Sequence, residues 1–199
     1  MRPWFLIAPL LFLLGCPTAG PSGDDDDSAA EPTPTPAPER VDQFLDGTSV
    51  FTFTNGQQAP AAPVLIHRVL DPADNSLTED VYQVDEAGDV GHFEVVGVVD
   101  AAAGTWTFGF FDGYGNFEGE GTLVGEAWAW DAWSSRSAYV DGPYVGSYVL
   151  SDDRIVDGVL EVEKQIFSPD DHAEGTVQER LDLVTQAEWD AALKDLLAR

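Results

Sequence analysis

The chain has 199 residues, with 36 Asp and Glu against 9 Lys and Arg and a formal net charge of −27, so it is one ordinary domain with appendages rather than a multidomain assembly. A single Cys rules out an intrachain disulfide and a Cys-based zinc site, and three scattered His argue against a His-rich metal centre. A polyanion without a local basic patch repels phosphate backbones, so no nucleic-acid partner is expected, while 11 Phe, 6 Trp and 5 Tyr suffice for a core.

Residues 4–14, Trp4 to Leu14, follow Arg2 as an apolar run of 11 residues. That is too short for a spanning helix, which needs ~20, and suits a signal-peptide core. The run ends in Leu13-Leu14-Gly15-Cys16, which resembles the lipobox of bacterial lipoproteins. The resemblance implies cleavage after Gly15, diacylation of the Cys16 thiol and acylation of the new amino group. It places the protein in the cell envelope on a bacterial membrane, the outer before the inner. More than one acyl chain is what stable anchoring requires. Residues 1–15 are then a cleaved signal peptide.

Residues 16–40 read as a lipidated Cys followed by a disordered tether. The stretch is rich in Pro, Thr, Ala, Gly and Ser, with the block Asp24 to Asp27 and alternating prolines from Pro32 to Pro38. In polyproline II, the 24 residues from Pro17 to Arg40 at ~3.1 Å each reach at most ~75 Å. Adjacent carboxylates on such a chain repel one another and keep it extended; they do not form a calcium cage.

From residue 41 to 199, short runs rich in Val, Phe, Tyr, Trp and Thr alternate with turn chemistry, which predicts an all-β domain. The runs are 48–54, 64–70, 81–85, 90–99, 105–111, 117–124, 127–133, 135–140, 144–150, 159–167 and 173–184, with one or two false splits expected among them. Turn signals at Asn55-Gly56, Glu86 to Asp89, Asp112-Gly113, Asp141-Gly142-Pro143 and Ser168 to Asp171 make most connections short hairpins. Consecutive hairpins give an antiparallel up-and-down meander, which closes into a barrel or curls strongly because closure removes exposed edges.

A four-residue loop from Ser168 to Asp171 would pair Phe167 with His172, Val162 with Val177 and Leu160 with Glu179. One face then carries Leu160, Val162, Ile166, Val177 and Leu181, with Lys164 and Glu179 as charged exceptions at an open end or in an interior cavity. Last comes one amphipathic α-helix over 186–198. Thr185-Gln186-Ala187-Glu188 is its capping box, and Trp189, Ala192, Leu193, Leu196 and Leu197 form its apolar face, packed over the sheet or across a barrel mouth.

A terminal helix after such a meander is similar to the calycin barrels, which include lipocalins, and Gly104-Thr105-Trp106 resembles the lipocalin Gly-x-Trp signature. In lipocalins the signature opens the first strand and a strand follows the helix, whereas here Trp106 is mid-domain and the chain ends in the helix. The resemblance therefore implies a small barrel with an interior pocket and no specific ligand site.

Aromatic residues are densest where Trp106, Phe108 and Phe110 share one face and Trp128 and Trp130 another. They form either core, with neighbouring Gly and Ala relieving crowding, or the wall of a pocket for an apolar or sugar-like ligand. Arg136 and Lys164 form either the cationic end of such a pocket, for a carboxylate or phosphate, or surface ion pairs. Asp112, Asn116 and Glu118 alternate as oxygen donors, but Phe117 stands where an EF-hand loop needs Gly, so the segment reads as a turn. There is no nucleophile elbow, HExxH helix or Walker loop, and His67, His92 and His172 are dispersed.

These features predict a non-enzymatic, lipid-anchored envelope protein without catalytic residues, cofactor or metal. It would bind a small apolar or amphiphilic ligand, or an envelope component, through Trp106, Phe108, Phe110, Trp128, Trp130, Arg136, Lys164 and Glu179. The alternatives are an assembly lipoprotein that docks a protein partner on its outer face and, last, a cation-dependent hydrolase. Salt should stabilise the polyanion by screening its self-repulsion. The melting temperature is expected to rise between about 0.01 and 1 M NaCl, where the Debye length falls from ~30 to ~3 Å; a flat profile would contradict this.

Overall fold

The computed structural model describes residues 38–85 and 87–199. The signal segment, the lipobox with Cys16 and the tether as far as residue 37 lie outside the described residues, as does Glu86. Ten strands follow one another: β1 (Val41–Phe53), β2 (Ala62–Asp71), β3 (Ser76–Val84), β4 (Val90–Asp100), β5 (Thr105–Phe111), β6 (Asn116–Val124), β7 (Ala132–Tyr139), β8 (Tyr148–Val156), β9 (Val159–Phe167) and β10 (Ala173–Val184). Each pairs antiparallel with the next, and β1 pairs with β10 from Phe44 opposite Val184 to Phe53 opposite Gly175, closing the barrel. The all-β meander with one C-terminal helix is thus realised in its closed form.

Boundaries moved where the sequence pattern was weak. Strands β1 and β3 begin earlier than expected, at Val41 and Ser76, through mixed polar stretches that still alternate inward and outward. Of the run 144–150 only 148–150 is strand: 144–147 belong to the β7–β8 connection, and β8 continues through Ser151-Asp152-Asp153-Arg154, which looks polar but pairs with both neighbours. Asp157 and Gly158, with φ of 52° and 79°, form the two-residue turn into β9, where only residues that tolerate the left-handed region fit.

The run 127–133 is not a strand. Residues 125–131 form the β6–β7 connection, and strand structure resumes at Ala132. The β9–β10 register also differs by two residues: Leu160 faces Leu181, Val162 faces Glu179 and Lys164 faces Val177. The loop holds five residues, with Phe167 opposite Ala173, and an irregularity between Ala173 and Gly175 adds the second residue of the shift. A shift of two preserves the face of every side chain, so the expected apolar set still points one way.

The barrel has a dense end and a loose one. At the end where β1 starts and β2 finishes, Leu45, Leu70, Leu77, Leu160 and Leu181 are essentially inaccessible and form a floor. Trp130, 1% exposed, folds in from the β6–β7 connection and belongs to the same cluster. Its φ of 50° is unfavourable for a bulky residue and is held by this burial. Toward the opposite mouth, inward-facing Phe93, Phe110, Val149 and Ile166 become partly exposed.

The helix α1 (Gln186–Leu197) lies on the outer wall rather than across an end. Its capping box is formed: Thr185 Oγ1 accepts from the Glu188 backbone N–H and the Glu188 carboxylate accepts from the Thr185 N–H. Trp189 and Leu196 pack on Leu65, Phe44, Tyr82 and Val184, so an outward Leu of β2 is buried beneath them.

The plug makes Trp130 the costliest large side chain to truncate. Trp130→Ala is expected to lower the unfolding free energy by about 3–5 kcal/mol in urea denaturation, and Trp128→Ala, half-buried in the same loop, by clearly less. Equal losses would mean that Trp130 does not seal the floor.

Candidate functional site

Above the leucine floor the barrel encloses a cavity of about 210 Å³. Its two sides differ in chemistry because the strands contribute different inward residues.

One wall comes from β4, β5 and β6. Trp106, Phe108 and Phe110 alternate inward along β5, and across the ladder they face Gly121, Gly119 and Phe117 of β6. The two glycines are needed for this: a Cβ on Gly121 would lie 2.1 Å from the Trp106 indole nitrogen and one on Gly119 2.4 Å from the Phe108 ring. The rings lie flat over bare backbone and stack in sequence, Trp106 on Phe108 at 4.4 Å and Phe110 on Phe117 at 4.7 Å, with Phe93 of β4 at 5.1 Å from Phe110.

The facing wall comes from β2, β3 and β8 to β10, and it is charged. Arg68 and Glu79 sit opposite each other on β2 and β3, and Arg68 Nε donates to the Glu79 carboxylate at 2.6 Å. The Arg68 guanidinium also lies 4.5 Å from the centre of the Trp133 ring, a cation–π contact that closes the wall against β7. Lys164 Nζ on β9 donates to Glu179 Oε1 on β10 at 2.9 Å. Asp153 on β8 accepts from Ser151 Oγ at 2.5 Å, Ser135 and Ser137 of β7 add hydroxyls beside it, and Val64, Ile66, Val81, Gln83, Leu160 and Val162 line the same side.

Burial pushes the Asp153 carboxyl up to about 6, against the Ser151 hydrogen bond and the Lys164 and Arg68 charges that pull it down; Glu179 adds to the rise. For Lys164 burial opposes the ammonium, but Glu179 and Asp153 more than offset it and its pKa stands raised, so it remains charged.

Of the residues singled out from the sequence, Trp106, Phe108, Phe110, Lys164 and Glu179 line the cavity together. Trp130 lies in the floor cluster, and Trp128 packs half-buried against that cluster without reaching the space. Arg136 points outward from β7 and lies 4.5 Å from the Tyr148 ring centre, so it supplies no cationic end. The cavity residues that sequence reading missed are chiefly Arg68, Glu79 and Asp153. Arg68 holds an inward position of the alternation Val64, Ile66, Arg68, Leu70, a signal that period-two counting detects.

The Asp112 carboxylate is engaged in its own turn: it accepts from the Tyr114 and Gly115 N–H groups and from the Tyr139 hydroxyl. No group of three His, Cys, Asp or Glu side chains converges as a metal site among the described residues. His67 stacks on Phe44 and reaches Asp42 on the outer wall, and His92 stacks on Tyr82 and reaches Asp80.

No known protein family matches this chain, and no curated protein matches it either. The closed ten-strand antiparallel barrel fits the resemblance to calycin barrels at the level of architecture.

Asp153 gives a pH test. Unfolded, its carboxyl ionises near 3.8; folded, it keeps its proton up to about pH 6. As pH rises through that window the unfolded state sheds its proton first, so the folded state loses stability on the order of 3 kcal/mol at this one group, and the loss persists above it. Asp153→Asn, which can still accept from Ser151, should therefore match the parent near pH 4 and exceed its stability by that order near pH 7.5. A pH-independent difference would place Asp153 in water.

Proposed function

We propose that this protein is a lipid-anchored component of the bacterial cell envelope whose barrel binds, without catalysis, a small molecule with an apolar body and a polar end. The observation that carries the reading is the two-sided cavity, an aromatic wall of Trp106, Phe108, Phe110, Phe93 and Phe117 facing a wall of charged and hydroxyl groups. Apolar pockets with a few convergent polar groups are the usual form of small-molecule sites.

Placement of the β5 aromatics favours this reading over the alternatives. A partner-docking surface would display its aromatics outside; Trp106, Phe108 and Phe110 of β5 face inward, while Phe53, Phe111, Tyr114 and Tyr144 are exposed. A hydrolase working through a carboxylate pair would need two that are uncommitted; Glu79 is paired with Arg68 and Glu179 with Lys164, which leaves Asp153 alone, hydrogen-bonded to Ser151.

Native mass spectrometry of the full chain purified from a lipid-replete host tests the reading. A discrete small added mass, lost on denaturation and reduced by Phe108→Ala, is expected. A clean mass that also stays unchanged on exposure to a library of small amphiphiles would overturn it.

A further inference from the structure

Resting on the binding role proposed above, we infer that the cavity selects a compact cation, an aromatic or arylalkyl amine in its ammonium form, over an anion or a neutral molecule of the same shape.

Size sets the first limit. A dry cavity of roughly 150 Å³ admits a benzene ring, so about 210 Å³ holds a ring with a short side chain and excludes a long acyl chain.

Charge sets the second. The lining contains two cations, Arg68 and Lys164, and three carboxylates, Glu79, Glu179 and Asp153. Each cation is already matched, Arg68 by Glu79 at 2.6 Å and Lys164 by Glu179 at 2.9 Å. Asp153 is left with a hydroxyl, Ser151, and has no ion-pair partner among the described residues. An arriving anion finds no uncommitted cation and must break an existing pair, stranding its buried carboxylate. An arriving ammonium finds Asp153, and its ring finds the side chains of Phe108, Phe110 and Phe117, which line the same cavity.

Asp153 also makes this preference depend on pH. The groups that bear on it are Ser151 on its own strand, Lys164 on β9, Glu179 on β10 and Arg68 on β2, with Glu79 of β3 behind Arg68; β7 presents only uncharged Trp133 and Ser135. Burial holds the Asp153 carboxyl protonated up to about pH 6. An alkylammonium ligand remains charged throughout, so its attraction appears as Asp153 ionises.

The experiment is calorimetric titration of the full-length chain with phenethylamine, 3-phenylpropionate and 2-phenylethanol, at about pH 7.5 and about pH 5. Phenethylamine is expected to bind at least roughly tenfold more tightly than the other two at the higher pH and to lose roughly tenfold at the lower. Asp153→Asn should remove both the preference and the pH dependence while keeping 2-phenylethanol binding, which also certifies that the variant is folded. If the variant does not fold, the parent's own pH dependence decides. Carboxylate or alcohol binding as tight as the amine, or amine binding indifferent to pH, overturns the inference and leaves a binding cavity standing. Binding by none of the three overturns the inference, and the mass measurement on the full chain then decides the reading on which it rests.

Discussion

Everything in this molecule depends on the β1–β10 seam. Pairing from Phe44 with Val184 to Phe53 with Gly175 leaves the ten-strand sheet without an edge, so the backbone groups are satisfied within the sheet. It also turns a period-two pattern into a topological one: alternate residues of every strand face a space from which water is largely removed. An open sheet could let an inward Arg or Glu reach solvent past its edge. In the closed one Arg68 and Glu79 must satisfy each other, as must Lys164 and Glu179.

Closure also separates the two electrostatic worlds of the chain. Outside, a net charge of −27 stands in water, where like charges such as Asp46 and Asp182 face each other across the seam and their repulsion is screened. Even there Asp46 feels partial burial and its neighbour, and its carboxyl is held above the ordinary range. Inside, screening is weaker, and two of the few basic residues of the chain are paired with carboxylates. The imbalance that remains falls on one group, Asp153.

Legibility followed the strength of the alternation. Strands β5, β9 and β10 coincide with their runs because apolar and polar residues alternate cleanly in them and because Thr, Val and Phe are suited to a pleated surface. The capping box from Thr185 to Glu188 was equally plain, since it is a local pattern with a local partner. Strand β8 was cut short because Asp152, Asp153 and Arg154 look like a loop; only the ladder to β7 and β9 makes them a strand. The Asp157-Gly158 dipeptide marks its true end and is among the strongest hairpin signals a sequence offers. The Trp128-Ala129-Trp130 segment misled in the other direction, because aromatic richness reads as strand while Trp130 is a plug whose left-handed backbone only tertiary burial can hold. Part of the cavity was legible for the same reason. The aromatic ladder of β5 and the charges Lys164 and Glu179 lie on well-patterned strands, whereas Glu79 and Asp153 lie where the pattern fades.

The order of layers along the barrel carries a final consequence. A floor of five leucines and Trp130 seals one end, the charged belt lies directly above it, and the aromatic wall rises beside the cavity toward the mouth. Buried ion pairs contribute little to stability compared with apolar side chains of the same volume, and an unpaired buried carboxylate detracts from it. A barrel selected for stability alone would continue the leucine floor upward through the positions of Arg68, Glu79, Asp153, Lys164 and Glu179. Each of those positions keeps its charge, and the glycines at 119 and 121 keep the facing wall thin enough for rings to lie flat. The leucine floor and Trp130 supply the rigidity against which this polar belt is held, so the partly desolvated Asp153 persists in a structure whose stability is generated elsewhere.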